Sequence, residues 1–242
     1  IIKPRLHAIA DWLRQQVPGS QTRCGVDTAP IPERELAARA GLGWIGKNTC
    51  VIHPRIGSWL FLGVVLTTIE LPCDQPAIDR CGTCRRCIDA CPTGALVEYQ
   101  LDPRRCISYL TIEHRSEIDP SLRPLMGDWL FGCDICQEVC PWNRRAPFAQ
   151  ETGLQPRIPD GRLDLEAILT AQKQDFDHSF RRSAIKRIRL PLLQRNARIV
   201  LENHKKKALE PAGAPPGELA HSEASTSVRG LSDSQRQSVR LR

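Results

Sequence analysis

Four cysteines closed by a proline, Cys81-x2-Cys84-x2-Cys87-x3-Cys91-Pro92, constrain this chain more than anything else in it. Thiolates at this spacing close on one face of a cubane, and the proline turns the chain after the last ligand, as in runs that bind [4Fe–4S] clusters. Where two clusters share a domain, the fourth cysteine of each run ligates the other cluster, so a second run is expected. Counting back from Cys140-Pro141 gives Cys136, Cys133 and then Leu130, where a cysteine should stand. Seven thiolates are in place and an eighth is missing.

Cys106 is the candidate for the eighth, because it lies in the loop between the two runs and can fold back to the second cluster. Cys24, Cys50 and Cys73 lie outside that loop, in stretches that read as core or turn. The assignment is then crossed. Cys81, Cys84, Cys87 and Cys140 hold one [4Fe–4S] cluster, and Cys91, Cys106, Cys133 and Cys136 hold the other. Paired C-x2-C spacings also suit structural zinc, but zinc sites separate their pairs with a spacer, and a tight run of four ending in Cys-Pro is foreign to them. A disulfide framework fits less well still, since the cysteine count, 11, is odd and no signal peptide accompanies it.

With 242 residues the chain is long enough for one large or two modest domains with a real core. Its longest apolar stretch, Trp59 to Leu66, is far too short to span a bilayer, so a cytoplasmic protein without a membrane partner is expected. The net charge of +7 is unevenly placed. Between Arg181 and Lys207 stand ten Lys or Arg and one acid, Glu202. Ordinary helices balance their signs at i,i+4, so this excess points to a polyanion.

In chain order, Leu6, Ile9, Ala10 and Leu13 mark a helix that Pro18-Gly19 ends. The start at Ile1, without Met and inside that helix, reads as a fragment. Cys24 to Pro30 reads as a short strand entering a Pro-restricted turn, and Pro32 opens a helix to Ala40. A Gly-rich bend, Gly41 to Thr49, lacks the Walker A frame. Val51-Ile52 and Trp59–Ile69 read as strands, the second buried on both faces. Beyond the cysteines, Asp164 caps a helix carrying Leu165, Ile168 and Leu169, another helix covers Phe180 to Ile188, and Pro191 opens a third. From Ala208 the composition reads as a disordered tail. No Gly-x-Gly-x-x-Gly follows a strand, so neither flavin nor nicotinamide is indicated.

Five stretches resemble epoxyqueuosine reductases: Val26-Asp27-Thr28-Ala29-Pro30, Gly43-Trp44-Ile45-Gly46-Lys47-Asn48-Thr49, Gly57-Ser58-Trp59, Cys106 to Glu113, and Ala184-Ile185-Lys186-Arg187 with Leu193-x-Arg195-Asn196. The resemblance runs from about Ile1 to Lys207. It implies reduction of epoxyqueuosine to queuosine at the tRNA wobble position, the last step of queuosine synthesis, with electrons passing through two [4Fe–4S] clusters to cobalamin. The family's cluster ligands fall on the eight cysteines named above. Its proton donor falls on Asp27, which should be buried beside the corrin so that it stays protonated near neutral pH. Cobalamin contacts are expected at Asp27, Lys47, Asn48, Thr49, Val51, Leu62, Ser108 and Asp134. Phosphate contacts are expected at Arg181, Arg182, Lys186, Arg187 and Arg195, with the modified base presented out of the anticodon stack.

The fold class implied is α+β, in four segments. Residues 1–72 form the C-terminal part of an α/β cobalamin domain, 73–148 a ferredoxin-like two-cluster domain, 149–207 basic HEAT-like helices, and 208–242 the tail. About a hundred residues that precede this start in the family, with part of its cobalamin cradle, have no counterpart in the chain. The implied partners are tRNA and a low-potential donor of flavodoxin or ferredoxin type, acting on a monomer. Two alternatives are a corrinoid reductase of the dehalogenase kind and a ferredoxin-type carrier with no catalysis of its own.

Overall fold

The computed structural model describes residues 1–154, 162–209 and 238–240. In chain order these form α1 (Ile2–Gln16), β1 (Thr22–Gly25), α2 (Glu33–Arg39), β2 (Trp44–Ile45), β3 (Val51–Ile52) and β4 (Val64–Thr67). The single turn α3 (Arg86–Asp89), β5 (Leu96–Val97), β6 (Gln100–Leu101), α4 (Ile107–Ile112) and the single turn α5 (Ile135–Glu138) follow. Last come β7 (Arg162–Asp164), α6 (Leu165–Thr170), α7 (Lys173–Ser179), α8 (Leu190–Leu209) and β8 (Ser238–Arg240). Helices and short antiparallel strands are thus mixed, in two compact units: residues 1–102 with 135–155, and 103–134 with 156–242. These units cut across the segments expected from sequence.

In the first unit, β1 and β4 pair antiparallel, with Thr22 opposite Thr67 and Gly25 opposite Val64. Helix α1 covers the ribbon with Leu6 and Ala10, and Gly63 lets the chain pass close beneath, since a Cβ there would stand 2.8 Å from Leu6 Cδ1. Glu33 and Glu35 in the first turn of α2 and Arg39 in its last match the helix dipole. Trp44, Ile52, Trp142 and the thiol of Cys140 make a small core around the β2–β3 hairpin.

The run Trp59–Ile69 is not a strand buried on both faces. Only Val64–Thr67 pairs, and Trp59, Phe61 and Leu66 are exposed. Among the described residues the two-stranded ribbon has α1 packed on it and no second layer of comparable contact, so apolar composition there does not translate into burial.

The second unit holds the larger core: Leu130, Leu165, Ile168, Phe176, Phe180, Ile185, Ile188, Leu193, Ala197 and Val200, with Ile107, Leu110, Ile118, Leu122, Met126 and Ile199 forming a neighbouring cluster. Asp164 caps α6 as expected, accepting from the N–H groups of Glu166 (2.9 Å) and Ala167 (3.2 Å). The helix expected over Phe180–Ile188 lies earlier. Gln172 and Asp175 form a reciprocal cap that starts α7 at Lys173, Phe180 ends it, and Ala184–Arg187 is only a 3₁₀ turn. Helix α8 extends to Leu209 and 238–240 pair with 162–164, so the expected disordered tail is corrected at those positions. Its remaining residues, 210–237 and 241–242, lie outside the described residues. No described helix is long and apolar enough to cross a membrane.

Candidate metal centre

Cys81, Cys84, Cys87 and Cys140 line one cavity in the first unit, with Ile52 and Trp142 as its apolar wall. Short-range geometry places each thiol. The Cys84 N–H donates to the Cys81 carbonyl at 3.0 Å, the Cys81 N–H to Asp79 Oδ1 at 2.8 Å, and α3 carries Cys87. Cys140 is extended, as a residue before proline must be, and caps the 3₁₀ turn that Pro141 opens. Trp142 meets Trp44 edge-on at 4.9 Å, closing the wall.

Burial first, and then the thiols of Cys136, Cys140, Cys81 and Cys84, push the Cys87 thiol up to about 11. The Cys140 thiol is raised mainly by burial, with the N–H groups of Trp142 and Asn143 pulling the other way. Thiols whose ionisation is opposed by burial and by one another need a strong positive centre to hold them as thiolates, and ligated iron supplies it. The cavity is open at its mouth and lined by the four thiols. Four thiols suit a four-cysteine zinc site as well as a cluster, and it is the tight run from Cys81 to Cys91-Pro92 that favours the cluster.

The other four proposed ligands are divided. Cys91 and Cys136 belong to the first unit, Cys106 and Cys133 to the second. Cys91 Sγ accepts the Ala95 N–H at 3.3 Å. Cys106 caps α4, its carbonyl accepting from the Leu110 N–H at 2.9 Å, and Cys133 packs on the cluster that contains Ile107 and Leu110. Leu130, in the place of the missing cysteine, is 1% exposed and belongs to the helical core. Cys24 pairs within the β1–β4 ribbon, Cys50 is half-buried and Cys73 exposed.

Sequence reasoning missed the groups that tie this cavity together. Lys47 Nζ, expected at the corrin, donates to Glu98 Oε1 at 2.8 Å and to the Gly82 carbonyl at 2.9 Å, binding the Cys81–Cys84 turn to the β5–β6 hairpin. The bond to Glu98 raises the Lys47 pKa and lowers that of Glu98. Asn48, expected in the same role, donates to the Cys136 carbonyl at 3.4 Å and accepts from the Cys50 N–H. Asn143 accepts the Ser58 N–H at 2.7 Å and donates to Ser58 Oγ and to the Gln137 carbonyl, holding the Cys136–Cys140 stretch against Gly57-Ser58. A Cβ on Gly57, which has φ +71°, would stand 2.1 Å from Asn143 Oδ1. The Gly-Ser pair was visible in the sequence; its distant partner carried no signal.

Asp27 is exposed, on a left-handed turn with φ +52°, so the burial expected of a proton donor is not present. Thr49 also has positive φ, and its carbonyl accepts from Arg34 at 2.7 Å. Val51 is buried in β3, while Leu62, Ser108 and Asp134 are half-buried.

Of the basic residues, Arg181 and Arg182 are exposed. Lys186 pairs with Asp177 at 2.7 Å and Arg187 with Glu113 at 2.6 Å, so acids outside the segment answer part of its charge. Hydrogen bonds from Lys173 and Lys186 hold the Asp177 carboxyl at about 2. Arg195 is corrected outright: it is 5% exposed and all its donors are engaged within the protein, which removes it from any phosphate surface. Arg189 and Arg198, not singled out before, are exposed on that segment.

Residues 80–143 match the family of 4Fe-4S double cluster binding domains. Over 207 residues the chain is 46% identical to an epoxyqueuosine reductase of Synechocystis sp., covering 84% of this chain and 71% of that protein. The chain belongs to the epoxyqueuosine reductase family. Two solved epoxyqueuosine reductases superpose on 86% of it. One, from Bacillus subtilis, has its aspartate-bearing catalytic loop swung out of the active site (TM-score 0.79, 32% identity). The other holds an epoxyqueuosine-modified tRNA-Tyr stem loop (TM-score 0.76, 32% identity). The chain spans little more than half, 55%, of each of these two proteins.

Proposed function

We propose that this chain is the cluster-bearing part of an enzyme that reduces the epoxide of epoxyqueuosine to the alkene of queuosine in tRNA. The observation that carries this reading is the 46% identity over 207 residues to a named epoxyqueuosine reductase. In the reaction two electrons and two protons enter, the epoxide oxygen leaves as water, and a carbon–carbon double bond forms. Cys81, Cys84, Cys87 and Cys140 hold one cluster, and Cys91, Cys106, Cys133 and Cys136 the other. When bound, the clusters supply one-electron transfer and cobalamin supplies the reductant that meets the epoxide.

The residues fit the clusters well and cobalamin in part. The side-chain donors of Lys47 and Asn48 are engaged around the cysteine cavity, which leaves Asp27, Thr49, Val51, Leu62, Ser108 and Asp134 as the proposed contacts. Opening the epoxide C–O bond places charge on oxygen, and Asp27, as the carboxylic acid, donates a proton to it. Because Asp27 is exposed, this role requires bound substrate to cover its turn. The aspartate-bearing catalytic loop of the Bacillus subtilis relative, swung out of the active site, supports such a turn. Arg181 and Arg182 contact tRNA phosphates, with Lys186 and Arg187 able to exchange Asp177 and Glu113 for them. The reaction is placed in the cytoplasm, on a monomer, fed by a low-potential carrier.

The test is anaerobic reconstitution with iron, sulfide and cobalamin, then conversion of epoxyqueuosine tRNA followed by mass spectrometry under single turnover. Queuosine should form. Asp27→Asn should keep its iron and tRNA affinity yet lose about a hundredfold or more in rate, the scale of general acid catalysis. A near-normal rate in the variant would return Asp27 to the role of a turn residue.

A further inference from the structure

Three consecutive residues of α8, Gln194, Arg195 and Asn196, reach into the second unit in two directions. Arg195 has five N–H donors, and five bonds take them all. Nε and Nη2 both donate to Asn196 Oδ1 (3.1 and 2.9 Å), Nη2 also to the Leu110 carbonyl (2.7 Å), and Nη1 to the His114 and Ser116 carbonyls (2.9 and 2.5 Å). Asn196, 0% exposed, donates in turn to the carbonyls of Thr111 (2.9 Å) and Leu130 (3.0 Å). Thr111 Oγ1 donates to the Ile107 carbonyl at 2.8 Å and accepts the Gly132 N–H at 3.0 Å.

These bonds join two segments and no others. One is α4 with the loop after it, whose final carbonyls would otherwise be buried without partners. The other is the turn Leu130–Gly132. Cys106 is the N-cap of α4, and Cys133 follows Gly132 directly. A helix rises about 1.5 Å per residue, so fixing the end of so short a helix fixes its first turn as well.

We infer that Arg195 and Asn196 are positioning residues for the second cluster, setting the separation of Cys106 and Cys133 through α4 and the Leu130–Gly132 turn. The inference rests on the reading that both thiols ligate that cluster. A planar guanidinium suits the task because its fork presents several donors in fixed directions, which a lysine ammonium cannot do. Leu130 acquires a reason as well: its carbonyl is a fixed point of the clamp and its side chain is core.

Gln194 provides a matched control, since its Nε2 lies 3.1–3.2 Å from the Ile168, Leu169 and Ala171 carbonyls at the end of α6, which bears no cysteine. The experiment compares Asn196→Ala, Arg195→Lys, Gln194→Ala and Cys106→Ala in the full chain after anaerobic reconstitution. The readouts are iron, acid-labile sulfide, the electron paramagnetic resonance of the reduced protein, and affinity for the tRNA anticodon stem loop. Asn196→Ala and Cys106→Ala should each lose about half the iron and the spin coupling between clusters, whereas Gln194→Ala keeps both. Arg195→Lys should lose the same iron without a change in the salt dependence of RNA binding. If Asn196→Ala does not fold, Thr111→Val removes the Gly132 contact with little change in shape and should give the same partial loss. Full iron in the clamp variants, with half lost in Cys106→Ala, would overturn the inference and leave the ligand reading intact. Full iron in Cys106→Ala would overturn that reading itself. Equal iron loss in Asn196→Ala and Gln194→Ala would also overturn the inference, because general loosening of the unit would explain both.

Discussion

Of the eight proposed ligands, the six in the first unit and the two in the second are held in different ways. In the first unit, Cys81, Cys84 and Cys87 are placed mainly by bonds to residues a few positions away, with Lys47 as a distant tie through the Gly82 carbonyl, and the apolar wall behind them is little more than Trp44, Ile52 and Trp142. In the second, Cys106 and Cys133 are carried by segments anchored from α8, some 80 residues distant, on a core of more than ten buried side chains. A local ligand run leans on its metal for much of its order, whereas a pair of thiols on a packed scaffold does not. The difference shows how one cofactor domain can be written partly as a motif and partly as a fold.

Removal of iron is the strongest way to break this comparison. An iron chelator under reducing conditions should loosen the Trp44–Trp142 wall, read as a red shift of tryptophan emission. The helical signal of the second unit, in far-UV circular dichroism, should largely persist. Loss of both signals in one transition would mean that the two units depend equally on metal.

Moving the eighth thiol is a sharper test. Adding Leu130→Cys to Cys106→Ala completes the run by spacing but places the new thiol in a core position that is 1% exposed. The double variant should regain no iron. Truncation at Leu130 should instead cost about 2–5 kcal/mol of stability, as for other buried leucines. Recovery of full iron would show that spacing, not the fold, selects the ligand.

That contrast also explains what could be read in advance. The cysteine run, the Asp164 cap and the start of α8 near Pro191 were legible because each is decided within one or two turns of chain. Arg195 was misread because a basic residue amid basic residues looks like a phosphate contact, while its acceptors, the Leu110, His114 and Ser116 carbonyls, lie far away in sequence. The ion pair of Lys47 could not be read for the same reason, its partner Glu98 being in a hairpin that carries no cue. The apolar stretch from Trp59 misled because composition reports what a segment can bury, not whether a layer exists to bury it.

Effects at the basic surface should be smaller. Reversing exposed Arg181 and Arg182 to Glu should weaken stem-loop binding and flatten its salt dependence, because fewer counterions are released. Iron content should stay constant. An unchanged affinity across a salt series would make the segment a solvated surface.

The smallest effect concerns Asp177. Its folded pKa of about 2 lies below the unfolded value of about 3.9, so its ion pairs stabilise fully above that value and fade as pH falls through 2. Asp177→Asn should therefore lower Tm slightly at pH 7, and the difference from wild type should vanish between about pH 4 and pH 2. A difference that survives at pH 2 would assign it to packing rather than charge.

Eight thiols, with Cys106 in place of the missing one at position 130, are proposed to hold two clusters. Iron and acid-labile sulfide per chain, counted after anaerobic reconstitution of wild type and Cys106→Ala side by side, test this most directly. Wild type should hold about eight irons and as many sulfides, and Cys106→Ala about half of each. Equal iron in the two proteins, or zinc in place of iron in wild type, would contradict it.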